Sequence, residues 1–296
     1  MSCRAVFAFF ALSLWCSTCF SAEAAGRAGS DQPPKKIVLL AGPKDHGGPG
    51  AHEYEKDLVL LKKCLETSSN VRGVSAEVHV VRVPRDAKQF EDAATIVIHS
   101  SGDQRDDETH SIFPIHDKAN PEAAYAEADS RYMEQLDRAM KRGVGIVVLH
   151  YSLIVENPRS RAYLLDWTGG YHRSGLSKVK VDRGEATPEK TGHPILRGVR
   201  PWTTDHEYYF NQYFRENDKR RVPILTTMMP SDKPERHVIA WAVEREGGGR
   251  GFAFTGGHFH KNMLLDDYRR MILGAILWTA KIPVPEGGVV SSVPQP

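Results

Sequence analysis

His150 closes an apolar run, Val144 and Ile146 to Leu149, within the stretch GVGIVVLHYS. Such a run suits a strand buried on both faces, as in a parallel sheet, and in an open α/β sheet ligands bind beyond the carboxyl ends of the strands. A second strand end matches it: Gly251–Phe252–Ala253–Phe254–Thr255–Gly256–Gly257 delivers His258–Phe259–His260. His46, His52–Glu53, His193 and the run Asp205–His206–Glu207 add further acid and imidazole groups. Imidazole with carboxylate suits zinc and neighbouring divalent metals. The same groups serve metal-free acid/base work, because a histidine titrates near neutral pH. Any one of them alone could instead cap a loop, and no close spacing such as HExxH decides for a metal.

Other chemistries find less support. Ser152 follows His150 but lacks the flanking glycines of a nucleophile elbow. Cys64 falls on a helical pattern and reads as a small core residue. The glycine-rich loop Gly42 to Gly50 matches neither GxxxxGK[ST] nor GxGxxG, so no nucleotide is expected. Tyr151, Trp167, Tyr171, Trp202, Tyr208, Tyr209 and Trp241 supply aromatic surface for a sugar, or simply pack the core and rim.

The elements that must carry these residues follow from periodicity. Lys36–Ala41 is a first strand, Tyr54–Thr67 a helix, and Glu77–Val83 and Thr95–His99 are further strands. Gln104 to Ala126 is a long polar excursion, and Arg131–Lys141 is a helix leading into the strand that ends at His150. This β-α-β-β-α-β order predicts an α/β fold with a doubly wound, mostly parallel sheet and helices on both faces. Beyond it, Lys178–Val181, Val222–Thr226, Val238–Val243 and Gly251–Thr255 read as strands, and Leu264–Thr279 as the last helix. Thr204 to Tyr209 mixes acid, histidine and aromatics. A single domain is expected over 36–282, with 283–296 as a tail.

The chain has 296 residues, 41% hydrophobic and 26% charged, with a formal net charge of +2. Scattered Lys and Arg give no phosphate-tracking surface, so no nucleic acid is expected. Arg4 followed by the apolar stretch Ala5 to Phe20 and by Ala22–Glu23–Ala24 reads as a signal peptide over 1–25. Export is expected, to the periplasm or the outside, with no membrane association after cleavage. Residues 26–35 read as a disordered lead-in. Removal of the leader takes Cys3, Cys16 and Cys19 and leaves Cys64 alone, so no internal disulfide holds the mature fold.

The stretches KIVLLAGPKDHGGPGAHEYEKDLVLL, GVGIVVLHYS, GHPILRGV, DHEYYF, HVIAWAVE and GRGFAFTGGHFHKN together resemble the ThuA-like (trehalose-utilisation) family over roughly Lys36 to Val289. The resemblance implies a class I glutamine-amidotransferase-like, flavodoxin-like fold. Amidotransferase relatives place a cysteine nucleophile where this chain has His150, so the likeness argues against amidotransferase chemistry. It implies that His52, His150, Glu207 and His258 form the site. His150, His258 and Glu207 would be catalytic, all four would hold a divalent metal, zinc first, and His46, His52, Tyr151, Asp205, Tyr208 and His260 would contact substrate. The family pattern more often reads Asp-Glu where this chain has Asp205–His206–Glu207. The implied role is in catabolism of a disaccharide or keto-sugar, as an isomerase, lyase or hydrolase. The competing reading is a non-catalytic sugar-binding or scaffold module. A homo-oligomer is compatible with the sequence.

Overall fold

The computed structural model describes residues 33–80, 88–103 and 127–293, together with Met1 and Ala119. The expected signal peptide, most of the lead-in, the last residues of the Glu77–Val83 strand and nearly all of the Gln104–Ala126 excursion lie outside the described residues.

Strand β1 (Lys35–Ala41) leads to helix α1 (Tyr54–Thr67), strand β2 (Val74–Val80), the short helix α2 (Lys88–Glu91) and strand β3 (Ala93–His99). Helix α3 (Glu127–Lys141) precedes β4 (Gly145–Leu149). Then follow α4 (Pro158–Trp167), β5 (Gly170–Tyr171), β6 (Lys178–Pro188), β7 (Trp202–Phe210), β8 (Tyr213–Phe214), β9 (Arg221–Met229), β10 (Glu235–Glu244) and β11 (Arg250–Phe254). Helices α5 (His260–Met263) and α6 (Asp266–Thr279) close the order.

Nine strands form one sheet in the order β2-β1-β3-β4-β11-β10-β9-β6-β7. The first five are mutually parallel. Their order is that of a flavodoxin-like half, whose switch point lies between β1 and β3. The remaining strands extend the sheet antiparallel. Alternation along β1 splits the core in two: Ile37, Leu39 and Ala41 pack under α1 and α6, while Val38 and Leu40 face the cluster built on Met133, Leu136 and Trp167. All five residues of β4 are buried, as a strand covered on both faces requires.

Three stretches differ from the sequence reading. The run Thr204–Tyr209 lies inside the nine-residue strand β7, and β6 extends as far as Pro188. Alternation in β7 is hidden because aromatic or imidazole rings occupy both faces: His206 and Tyr208 on one, Tyr209 on the other. Residues after α6 also pack closely. Val284 and Val289 are buried, and the backbone carbonyls of Gly288 and Val290 accept from Asn70 and Ser68. That stretch is part of the core rather than a free tail.

Candidate metal centre

Ala41, His99, Leu149 and Phe254 lie side by side at the carboxyl ends of β1, β3, β4 and β11. The loops that follow therefore leave on one rim. The loop after β1 meets the loop after β11 through an isolated antiparallel bridge, Ala51 with Phe259. The His52 amide donates to the His258 carbonyl at 2.8 Å, and the His260 amide to that of Gly50 at 2.9 Å. This ribbon sets His52 beside His258. Both His52 and His150 have φ of +52°, a left-handed backbone that costs a non-glycine residue energy and recurs at functional sites. Gly257, before His258, has φ of +131°; a Cβ there would lie 2.8 Å from the His99 ring and 2.9 Å from His150 Cβ. Only glycine suits that position.

Four side chains converge above the strand ends. His52 Nε2 lies 3.1 Å from His150 Nε2 and 3.0 Å from His258 Nδ1. Glu207 Oε2 lies 3.2 Å from His258 Nδ1 and 3.5 Å from His150 Nε2. The four donor atoms all fall within 4.8 Å of one another. His150 Nδ1 is 2.9 Å from the Thr255 carbonyl, which can only accept. The proton therefore sits on Nδ1, and the Nε2 lone pair points into the cluster. This carbonyl–imidazole arrangement is the support metal-bound histidines ordinarily have. Tetrahedral zinc with bonds of about 2.1 Å separates its ligand atoms by roughly 3.4 Å, and four of the six spacings here, 3.0 to 3.5 Å, come near that value. His52 Nδ1 is buried with no partner, so its outer support is missing.

The electrostatics agree with a ligand set. Burial, reinforced by His46 and His258, pushes the His52 imidazolium down to about 3. Burial, then His52, holds His150 well below its ordinary value. Burial alone would raise the Glu207 carboxyl, but its hydrogen bonds from His258 and Tyr209 outweigh that and lower it. At neutral pH His52 and His150 are thus neutral and Glu207 is ionised, the states a metal requires. The same shifts make these groups weak bases, which favours holding a cation over abstracting a proton.

The remaining sequence candidates separate. His46 and Tyr151 flank His52, with ring centroids 3.8 and 5.9 Å away, and Asp45 holds His46 Nδ1 at 2.5 Å. Both therefore stand at the rim. Asp205 instead pairs with Arg183 at 3.2 Å and Lys261 at 3.4 Å, half exposed. Tyr208 is buried on the opposite face of β7, donating to the Gly184 carbonyl at 3.0 Å, because a strand sends neighbouring residues to opposite sides. The expected substrate contact by Tyr208 has no geometric basis. His260 turns to Asp57 at 2.5 Å. His193 belongs elsewhere, capping a short turn and packing on Trp278. Cys64 is buried in α1, its thiol 3.8 Å from the Ser292 carbonyl.

Tyr209 is a site residue that the sequence reading kept only as general aromatic supply. Its ring stacks on His150 at 4.6 Å and its hydroxyl lies 3.3 Å from His150 Nε2. Burial keeps that hydroxyl protonated, well above the usual tyrosine range. The signal was its place two residues after Glu207 on one strand, which puts both on one face. His99 was also missed, although it ends β3 as His150 follows β4.

Residues 107–279 match the family model ThuA, described as trehalose utilisation. No curated protein gives a significant match. Among solved structures, a ThuA-like protein of Bacteroides uniformis superposes with a TM-score of 0.59 at 11% identity, covering 86% of this chain and 95% of that one. A ThuA-like protein of Parabacteroides merdae gives 0.57 at 15% identity, covering 89% and 94%. A cytoplasmic protein of Salmonella typhimurium gives 0.52 at 12% identity, covering 82% and 99%. At these identities the likeness concerns the fold.

Proposed function

This chain belongs to the ThuA family, and from that premise we propose that it is a divalent-metal enzyme of carbohydrate breakdown, acting on a disaccharide or keto-sugar. The observation that carries the reading is the convergence of His52, His150, His258 and Glu207, with the first two held neutral by burial. A divalent ion held by these four, with a fifth position open to substrate or with Glu207 released from it, would polarise a sugar hydroxyl or carbonyl oxygen and make its neighbouring proton easier to remove.

The chain's own groups divide the remaining work. Thr255, through its carbonyl, keeps the His150 lone pair turned inward. Tyr209 presents a protonated hydroxyl beside His150 and Glu207, suited to donate a hydrogen bond to a substrate oxygen that gains negative charge. His46 and Tyr151 border the cluster and offer ring faces and edges to a sugar. Export by a signal peptide over residues 1–25 belongs to the same proposal; the mass of the protein secreted by an expression host would show whether that leader is removed.

The test is metal analysis of the purified, untagged protein, followed by assay of keto-disaccharides before and after chelation. One bound divalent ion and an activity lost with the chelator and regained with zinc are expected. Equal turnover by the wild type and a His150→Ala/His258→Ala variant would end the reading. Sugar binding without turnover would favour the binding module instead.

A further inference from the structure

Directly beneath the four-residue cluster lies a second polar group that the chemistry above does not use. Asp57, on α1, has no exposed surface. Its Oδ2 accepts from His99 Nε2 at 3.1 Å and its Oδ1 from His260 Nδ1 at 2.5 Å. His99 is itself fully buried and ends β3. A carboxylate withdrawn from water is costly unless paired and hydrogen-bonded. Here each oxygen has one imidazole N–H.

Both imidazoles bear on His258. His260 follows it by two residues, and its amide completes the ribbon that joins His258 to His52. The His99 ring lies under Gly257, so close that a Cβ on Gly257 would be 2.8 Å from it. The segment Gly257–His260 is therefore fixed at both ends by groups that share one carboxylate. His150 has its own restraint in the Thr255 carbonyl; the Gly257–His260 segment, whose Gly257 amide also donates to His206 Nε2 at 3.3 Å, leans on Asp57 through its side chains and carries His52 with it through the ribbon.

We propose that Asp57 is a positioning residue of the metal centre, acting through His99 and His260 to hold His258 Nδ1 at ligand distance from the other three. This rests on the metal reading above and deepens it. Replacement by asparagine preserves size but turns one acceptor into a donor, which faces an N–H. The orienting contact to His260 or to His99 is then lost.

The experiment compares wild type, Asp57→Asn, His260→Gln and the double variant, all untagged. Zinc affinity is measured by competition with a chromophoric chelator, the visible spectrum is recorded with cobalt(II) in place of zinc, and histidine side-chain ¹H–¹⁵N correlations are recorded on the metal-free proteins. Orienting partners of metal ligands change affinity by about 10–100-fold. Asp57→Asn is expected to fold, to bind zinc about 10–100-fold more weakly with an altered cobalt spectrum, and to lose the single His258 ring environment in the metal-free correlations. The double variant is expected to be little weaker than the worse single variant, because both changes break one linkage. Unchanged affinity in Asp57→Asn, or losses that multiply in the double variant, would overturn the proposal. If the wild type takes no zinc, the metal reading fails by itself, and an undisturbed His258 signal in metal-free Asp57→Asn would separately refute the positioning role. Should Asp57→Asn not fold, His99→Gln and His260→Gln carry the same comparison.

Discussion

Zinc should stabilise the native chain measurably, and His150→Ala should abolish the effect. Four of the six ligand-atom spacings, 3.0, 3.1, 3.2 and 3.5 Å, lie near the roughly 3.4 Å edge of a tetrahedral zinc site, and all six are within 4.8 Å. His52 and His150 are neutral imidazoles at neutral pH, so neither has to lose a net charge-bearing proton to bind zinc. Binding should therefore report almost wholly as stabilisation of the folded form. With free zinc at about 100 times the dissociation constant, linkage gives about 2.7 kcal/mol. For a domain of this size, one kcal/mol moves the unfolding midpoint by about 2–4 °C, so the expected rise is about 5–10 °C. If loss of the His150 ligand weakens binding about 100-fold, the same zinc concentration yields only about 0.4 kcal/mol, or a degree or so. The assay is thermal unfolding by circular dichroism of untagged protein, titrated with zinc and back-titrated with chelator. A wild-type midpoint indifferent to millimolar zinc, or an equal rise in His150→Ala, would refute the reasoning.

Acid should destabilise the metal-free protein well above the range of carboxylate titration. Burial, first among the causes, lowers His52 to about 3 and His172, His193 and His206 to about 4, against about 6.5 in an unfolded chain. The unfolded state then binds more protons, so stability is full above about pH 6.5 and falls as pH drops toward 4, by up to about 1.4 kcal/mol per pH unit for each group; urea midpoints at pH 7 and pH 5 measure it, and equal midpoints would contradict the burial. Gly257→Ala should cost about 1–3 kcal/mol and depress zinc affinity, because φ of +131° and the adjacent His99 and His150 leave no room for Cβ; an unchanged melting curve would show that the loop relaxes freely. Tyr208→Phe and Tyr209→Phe should separate: the first loses about 1 kcal/mol with its bond to Gly184 and leaves zinc binding alone, whereas the second weakens zinc binding. Matched zinc affinities in the two variants would erase the distinction between the faces of β7.

The parallel half of the sheet was legible because each of its central strands is a short apolar run with punctuation at its end. Ile146 to Leu149 followed by His150 states both the strand and the place of the chemistry. The antiparallel half was harder. β6 alternates Lys, Val, Lys, Val, Asp and Arg, with Val179 and Val181 about half exposed, so its pattern does not mark a core face. In β7 the hydrogen-bonding groups on one face and the site groups on the other look alike in sequence. That similarity is why Tyr208 was chosen over Tyr209: only the register of β7 against β6, with Glu207 opposite Val181 and Tyr209 opposite Val179, assigns the side. Asp57 could not be found from the sequence at all. An acid in the first turn of an amphipathic helix, here beside Glu55, ordinarily faces water, and nothing local says that a histidine ending β3 and another opening α5 will enclose it.

The backbone strain points the same way as the side chains. Among the described residues, five non-glycine positions have positive φ, and two of them are His52 and His150. Asparagine, at two of the other three, tolerates that region because its short side chain bonds locally. Histidine at +52° needs the surroundings to impose it. For His150 the imposition is visible in the Thr255 bond and in the abrupt end of β4; for His52 it is the ribbon to Phe259. A loop selected only to connect β4 to the next turn would place glycine or asparagine at that corner and avoid the cost. Retaining an imidazole there, with its Nε2 lone pair directed at His52 and Glu207, concentrates acceptors in the cluster, which the proposed cation would satisfy. The strain, the neutral imidazoles and the ligand-like spacings come from backbone, burial and side-chain geometry separately, and the proposed cation would account for them together.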